Sequence, residues 1–281
     1  MNQTFAFSRW QMLVASHWAE HRKRYLLSLL AVGGMITAWY SFLLLMDHNG
    51  PLNLFMQYAT YYTGLFLVGC IYASTIFSEL GSKSQAIQYL SLPASHLEKL
   101  LCGILFSVVL FFIAFTLLFY LVDVPLVAVA ERIAQREHQH WPNTYIPIGN
   151  ISVLNIWNNQ WAPILDKKYH FFLFAFFMIQ SAFLLGSVYF TRWNFVKTVV
   201  ALLLFWIVFV LLADKGVRTL MPEGWSPYDL LRWVNRMDPA VSASVVALPS
   251  SMERVLILLM QYSVPPMLWV ITYFRLKEKE V

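Results

Sequence analysis

Six long runs in this chain contain no Asp, Glu, Lys or Arg, and they limit its possible folds more than any other feature. They are Tyr25 to Met46, Tyr58 to Phe77, Leu100 to Val122, Phe171 to Thr191, Thr198 to Ala213 and Val255 to Phe274. About 20 mainly apolar residues wound as a helix cross roughly 30 Å of hydrocarbon. No water is available there to satisfy a backbone N–H or C=O, so a single spanning segment closes its hydrogen bonds internally as a helix. The expected fold class is all-α: a polytopic integral membrane protein with six transmembrane helices, over residues 25–46, 58–77, 100–122, 171–191, 196–213 and 255–274. The fifth charge-free run has only 16 residues. It reaches back to Val196 if Lys197 snorkels its ammonium to the interface. The first run is not expected to be a cleaved leader, because 24 residues precede it and no small-x-small cleavage site follows.

Composition excludes the main alternatives. At 59% hydrophobic and 12% charged, the 281 residues lie far from soluble domains, which average about 45–50% apolar and about 25% charged. A soluble enzyme and a disordered chain are both ruled out. The 22 Phe, 14 Tyr and 11 Trp suit a protein that anchors many helix ends at headgroup level. A net charge of +5 is scattered at segment ends, with no stripe to follow a phosphate backbone, so no nucleic acid is expected as a partner. Cys70 and Cys102 each sit inside an apolar run, which leaves neither a disulfide framework nor a metal knuckle. His21-Arg22-Lys23-Arg24 precedes the first run, and no Lys or Arg lies between the first and second. Positive charge on the inner side then places both termini inside.

The connecting segments carry their own patterns. Residues 4–24 form one amphipathic helix, with Phe7, Trp10, Val14 and Trp18 opposite Arg9, Ser16, Glu20 and Lys23. That pattern suits an elbow lying in the interface plane. In the loop 78–99, Gly81 and Ser82 punctuate the end of the second span, Ser84 to Leu92 make two helical turns, and Pro93 stops them. Ser95 followed three residues later by Glu98 is a capping-box pattern that starts the next helix. Residues 123–169, with a Pro/Asn/Trp-rich second half, are expected to form a small outer cap. Residues 221–250 combine a Met221-Pro222-Glu223-Gly224-Trp225 turn, a short helix begun by Ser226-Pro227, an Asp238-Pro239 stop and an uncharged stretch of nine residues too short to cross. Such a piece dips into the outer leaflet and returns when neighbouring helices bury its backbone. Pro265-Pro266 is expected to kink the last span.

Absences also inform. No Asp, Glu, Lys or Arg lies within the six runs, which disfavours an ion-coupled transporter. No HExxH, GxSxG or GxxxxGK[ST] motif occurs, so neither a zinc or serine hydrolase nor a nucleotide-hydrolysing loop is expected. His17/His21 and Glu137-His138-Gln139-His140 lack the further placed ligands of a metal site. The expectation is therefore no enzyme, no cofactor and no metal. Energy, if used, comes from another molecule.

The layout and two local stretches together resemble the membrane subunit of a type-2 ATP-binding-cassette exporter. The first is Phe77-Ser78-Glu79-Leu80-Gly81 with Leu90-Ser91-Leu92-Pro93-Ala94-Ser95. The second is Met221-Pro222-Glu223-Gly224-Trp225 with Leu231-Arg232-Trp233 and Met237-Asp238-Pro239, where Asp238 stands in place of the family's common asparagine. Leu92-Pro93-Ala94-Ser95 followed by Leu97-Glu98-Lys99 is similar to such permeases from Bacteroidetes. The long segment 123–169 departs from the family pattern. The resemblance implies a bacterial inner-membrane location, a second permease subunit and a separate ATPase docked on the loop 78–99. Glu79, Gly81, Leu90, Leu92, Pro93, Ser95, Glu98 and Lys99 would carry the coupling. Pro222, Trp225, Trp233, Asp238 and Pro239 would shape an outer re-entrant element. A non-transporting membrane scaffold is the alternative.

Overall fold

A computed structural model describes residues 5–46, 52–140, 152–156, 169–220 and 250–279, except for the side chains at 83, 90, 137–140, 169–171, 213–214, 216–220 and 250–261. Among the described residues every regular element is helical. In chain order they are α1 (Phe7–Met46), α2 (Leu54–Thr75), a 3-10 turn (Ser78–Gly81), α3 (Lys83–Ser91), α4 (His96–Ile104), a π-helical segment (Leu105–Leu110), α5 (Phe111–His140), α6 (Tyr169–Tyr189), α7 (Asn194–Leu220) and α8 (Ser250–Glu278).

Five helical stretches are long and apolar enough to cross a membrane: Phe7–Met46, Leu54–Thr75, His96–Arg136, Phe172–Tyr189 and Asn194–Leu212. The sixth expected run lies within α8, whose side chains up to residue 261 fall outside the described ones. So does the whole of 221–249, and with it Pro222, Trp225, Trp233, Asp238 and Pro239.

Two elements differ from the sequence reading. The elbow over residues 4–24 is not a separate helix; residues 7–46 form one uninterrupted helix of 40 residues. Its length, about 60 Å at 1.5 Å per residue, is twice what the hydrocarbon needs. The reason is local: no Pro or Gly occurs between Phe7 and Val32, and the junction Glu20-His21-Arg22-Lys23-Arg24 is rich in good helix formers. Likewise the cap expected over 123–169 begins as a continuation of α5 to His140, through Pro125. Residues 152–156 then return onto the ends of α2 and α5. There Gln57 Nε2 donates to the Ser152 carbonyl at 2.9 Å, Tyr58 Oη donates to the Asn155 carbonyl at 3.0 Å, and Leu154 and Ile156 are buried. Residues 141–151 and 157–168 lie outside the described ones.

The chain divides into two compact units, Met1–Phe195 with Pro265–Val281, and Val196–Val264. The core of the first is aromatic. Tyr61, Phe115, Phe119 and Phe176 are fully buried, and Tyr61 meets Phe119 edge-on at 5.0 Å, the arrangement in which a ring's positive edge faces another's negative face. α2 and α6 approach closely at Gly69, where a Cβ would collide with the Gln180 side chain. Small residues let apolar helices gain contact where burial from water offers no drive. In the second unit, every α7 side chain from Leu203 to Leu212 is exposed. A helix apolar on all sides does not face water.

Gly69→Val therefore forces α2 away from α6 and is expected to cost about 1–3 kcal/mol. Gly34→Ala meets nothing within 4 Å and should cost nothing. Thermal unfolding in detergent of the two variants checks the contrast.

Candidate functional site

The segment between α2 and α5 forms a compact hairpin. α3 stops where expected: Leu92 takes an extended backbone, φ −57° and ψ 134°, as a residue before proline must. Ser95 then caps α4. Its Oγ accepts from the Glu98 N–H at 3.3 Å, and Glu98 Oε2 accepts from the Ser95 N–H at 2.8 Å, completing the reciprocal box.

Glu98 does more than close this box. Its Oε1 also accepts from the Ala6 N–H at 2.8 Å and from Arg9 Nη2 at 3.0 Å. One fully buried carboxylate thus serves the N-termini of both α1 and α4, where orphan amides and the helix dipole favour negative charge. Glu98 precedes the charge-free run that begins at Leu100.

A second link joins α1 to the hairpin. His21 Nε2 lies 3.0 Å from Glu79 Oε1, its Nδ1 lies 3.1 Å from the His17 carbonyl, and the two imidazoles stack at 4.5 Å. His17 Nε2 contacts Tyr25 Oη at 2.6 Å. A cleft of about 230 Å³ between α1 and the hairpin is lined by His17, Glu20, Glu79, Gln85, Tyr89 and Leu92, among others. The polar side of the expected elbow, Arg9 and Glu20 included, therefore turns toward the hairpin. Phe7 and Trp18 are exposed.

The expected coupling residues sort into an inner and an outer set. Glu98 and Lys99 are buried, with Lys99 Nζ 5.6 Å above the Tyr89 ring. Gly81 backs directly onto the Thr191 carbonyl in the turn between α6 and α7, where a Cβ would clash. Glu79 is paired with His21, and Ser95 is the cap. Leu92, 37% exposed, and Pro93 form the outer set. The Leu90 side chain lies outside the described ones. Ile87, 69% exposed, is a further exposed apolar side chain of the hairpin, while Ala86 and Tyr89 pack inward near Phe77, Leu80 and Leu276.

The sequence reading missed Arg9, His21 and Ile87 as parts of this site. The i, i+3 offset of Ala86 and Tyr89 from the intervening Ile87 was the available signal for the last. Nothing local marks Arg9 as the partner of a residue 89 positions away. The reading also missed Asp123, which lies one residue beyond the third run and is fully buried.

Around the hairpin, several segments converge on one end of the first unit. The His96 and Tyr273 rings are 6.3 Å apart, and the Arg275 guanidinium lies 4.7 Å over the Tyr189 ring. The start of α1, the hairpin, the α6–α7 turn and the end of α8 therefore share a face. Among the described residues no group of three or more His, Cys, Asp or Glu is placed to hold a metal ion. In comparisons with known proteins, no family model, curated protein or solved structure matches the chain.

Ser95→Ala removes a cap and should cost about 1 kcal/mol. Glu98→Gln should raise hydrogen exchange in the first turns of α1 as well as α4, whereas Leu97→Ala, at an exposed position, should leave α1 unchanged. Exchange at α4 alone in the Glu98 variant would show that the carboxylate does not hold α1.

Proposed function

We propose that this chain is the permease subunit of an ATP-driven type-2 ABC exporter in a bacterial inner membrane. It works with a second permease subunit and a separate ATPase, and both termini face the cytoplasm. The observation that carries this reading is the hairpin 78–99: it exposes the apolar side chains Ile87 and Leu92 and is tied to α1 on both sides of α3, through Glu79 and Glu98. A loop built only to connect two helices needs no such bracing. A surface that receives a push from a soluble partner needs both an apolar contact and a stiff mount. The shared face of the start of α1 and the end of α8 also supports it, because ends on one face need an even number of crossings, which the five apolar helices reach only with α8 as a sixth.

In this reading the ATPase binds at Ile87 and Leu92. Nucleotide-driven closure moves α3, and Glu98, Glu79 and Gly81 pass the displacement to α1 and to the α6–α7 turn. The thermodynamic requirement is differential contact: the ATPase must bind the hairpin more tightly in one state of the spans than in the other. The outer re-entrant element at 221–250 and the cap beyond His140 would complete the path. Cofactor chemistry stays with the partner.

Leu92→Asp places a charge in the apolar contact and is expected to abolish transport and ATPase co-purification while leaving membrane insertion intact. Transport at the normal rate in that variant, or a preparation in mild detergent without any stoichiometric ATPase, would favour the non-transporting scaffold instead.

A further inference from the structure

Further along α1 than the cleft beneath the hairpin, a groove of about 430 Å³ opens between α1, α2 and the π-helical segment with α5. Its walls are aliphatic, with Leu29 and Val32 from α1 and Val68 and Ile71 from α2. Its floor is aromatic: Tyr25 lies 5.7 Å from Phe106 and Tyr72 lies 5.3 Å from Phe111. Phe106 and Leu110 reach it from the π-helical stretch, whose wider turn displaces side chains from their α-helical positions and recurs at functional sites.

The groove is polarised along its length. Arg24 and Trp18 line one end, and Arg22 and Lys23 adjoin it in sequence. From Arg24 to Val32 the groove runs eight residues along α1, about 12 Å into the apolar zone. None of the residues lining it is acidic. Glu20 and Glu79 line the separate cleft beneath the hairpin. The surrounding surface is lipid-like in character, with Leu26, Leu27 and Leu30 of α1 and Leu117 of α5 exposed.

We infer that this groove is a binding site for an anionic phospholipid taken laterally from the bilayer, with an acyl chain along the α1–α2–α5 walls and the phosphate at Arg24. Charge complementarity selects this occupant. An apolar slot alone accepts any chain, whereas a cationic end without a carboxylate favours a negative headgroup, worth about one factor of five per basic residue near the surface. The site depends on the chain being embedded in lipid and not on the exporter reading, so it stands or falls separately from ATPase coupling.

The test uses the full-length protein in nanodiscs of phosphatidylcholine containing a trace of phosphatidylglycerol with a photoreactive acyl chain. Crosslinks should map to residues 24–32, 68–75 and 106–117, and unlabelled phosphatidylglycerol should compete while phosphatidylcholine does not. Arg24→Gln should reduce labelling about fivefold, and Ala114→Trp, which fills the groove, should abolish it. Arg24 is exposed, so its variant keeps the fold even if the filled variant does not. Labelling spread evenly around the apolar surface, equal competition by phosphatidylcholine, or protein–protein crosslinks from a second copy through the groove would each overturn the inference.

Discussion

A single buried carboxylate ties the N-terminal helix of this molecule to the hairpin. Glu98 has no access to water, yet it accepts hydrogen bonds from the first amides of two helices and from Arg9. A buried charge is costly unless fully paired. Here the partners come from two pieces of chain that must meet: the start of α1, which supplies the Ala6 amide and the Arg9 guanidinium, and the Ser95 turn. The interaction therefore specifies one arrangement of the N-terminal helix against the hairpin. Elsewhere at this end, contacts such as Gly81 on Thr191 and Asn194 Nδ2 on the Ser187 carbonyl add precision, but they do not neutralise a charge.

The rest of the first unit follows the rules of a lipid solvent. Long helices close their own hydrogen bonds, and the core uses aromatic edge-to-face contacts and small-residue approaches in place of hydrophobic burial. Buried serines there use nearby backbone, as Ser107 does with the Gly103 carbonyl at 2.7 Å and Ser187 with the Leu184 carbonyl at 2.6 Å. At the unit's two ends the backbone departs from regular helix. One end holds the braced hairpin and the other the returning segment 152–156 over Gln57 and Tyr58. α1 runs on from the hairpin, where His21 meets Glu79, to the apolar groove that Tyr25 lines about one turn later.

Much of this organisation could be read from residue order. Charge-free runs located the long helices, Pro93 the end of α3, and Ser95 with Glu98 the start of α4, because each of these signals acts within four residues of itself. The same reading separated the elbow from the first span. It bounded the first span by its lack of charge, although charge limits burial in lipid and does not interrupt a helix. It also expected a distinct cap from Asp123, where α5 continues.

The sequence by itself determined that this chain is helical and apolar enough to live in a membrane, and where its local caps and stops fall, since these depend on side-chain transfer energies and near-neighbour hydrogen bonds. Only the tertiary structure decided that Glu98 answers to Ala6 and Arg9, that Glu79 meets His21, that Lys99 turns inward over Tyr89, and that Arg24 stands at the mouth of an apolar groove. These pairings join residues about 10 to 90 positions apart, and no local preference encodes which distant partner will meet a given charge; packing selects it.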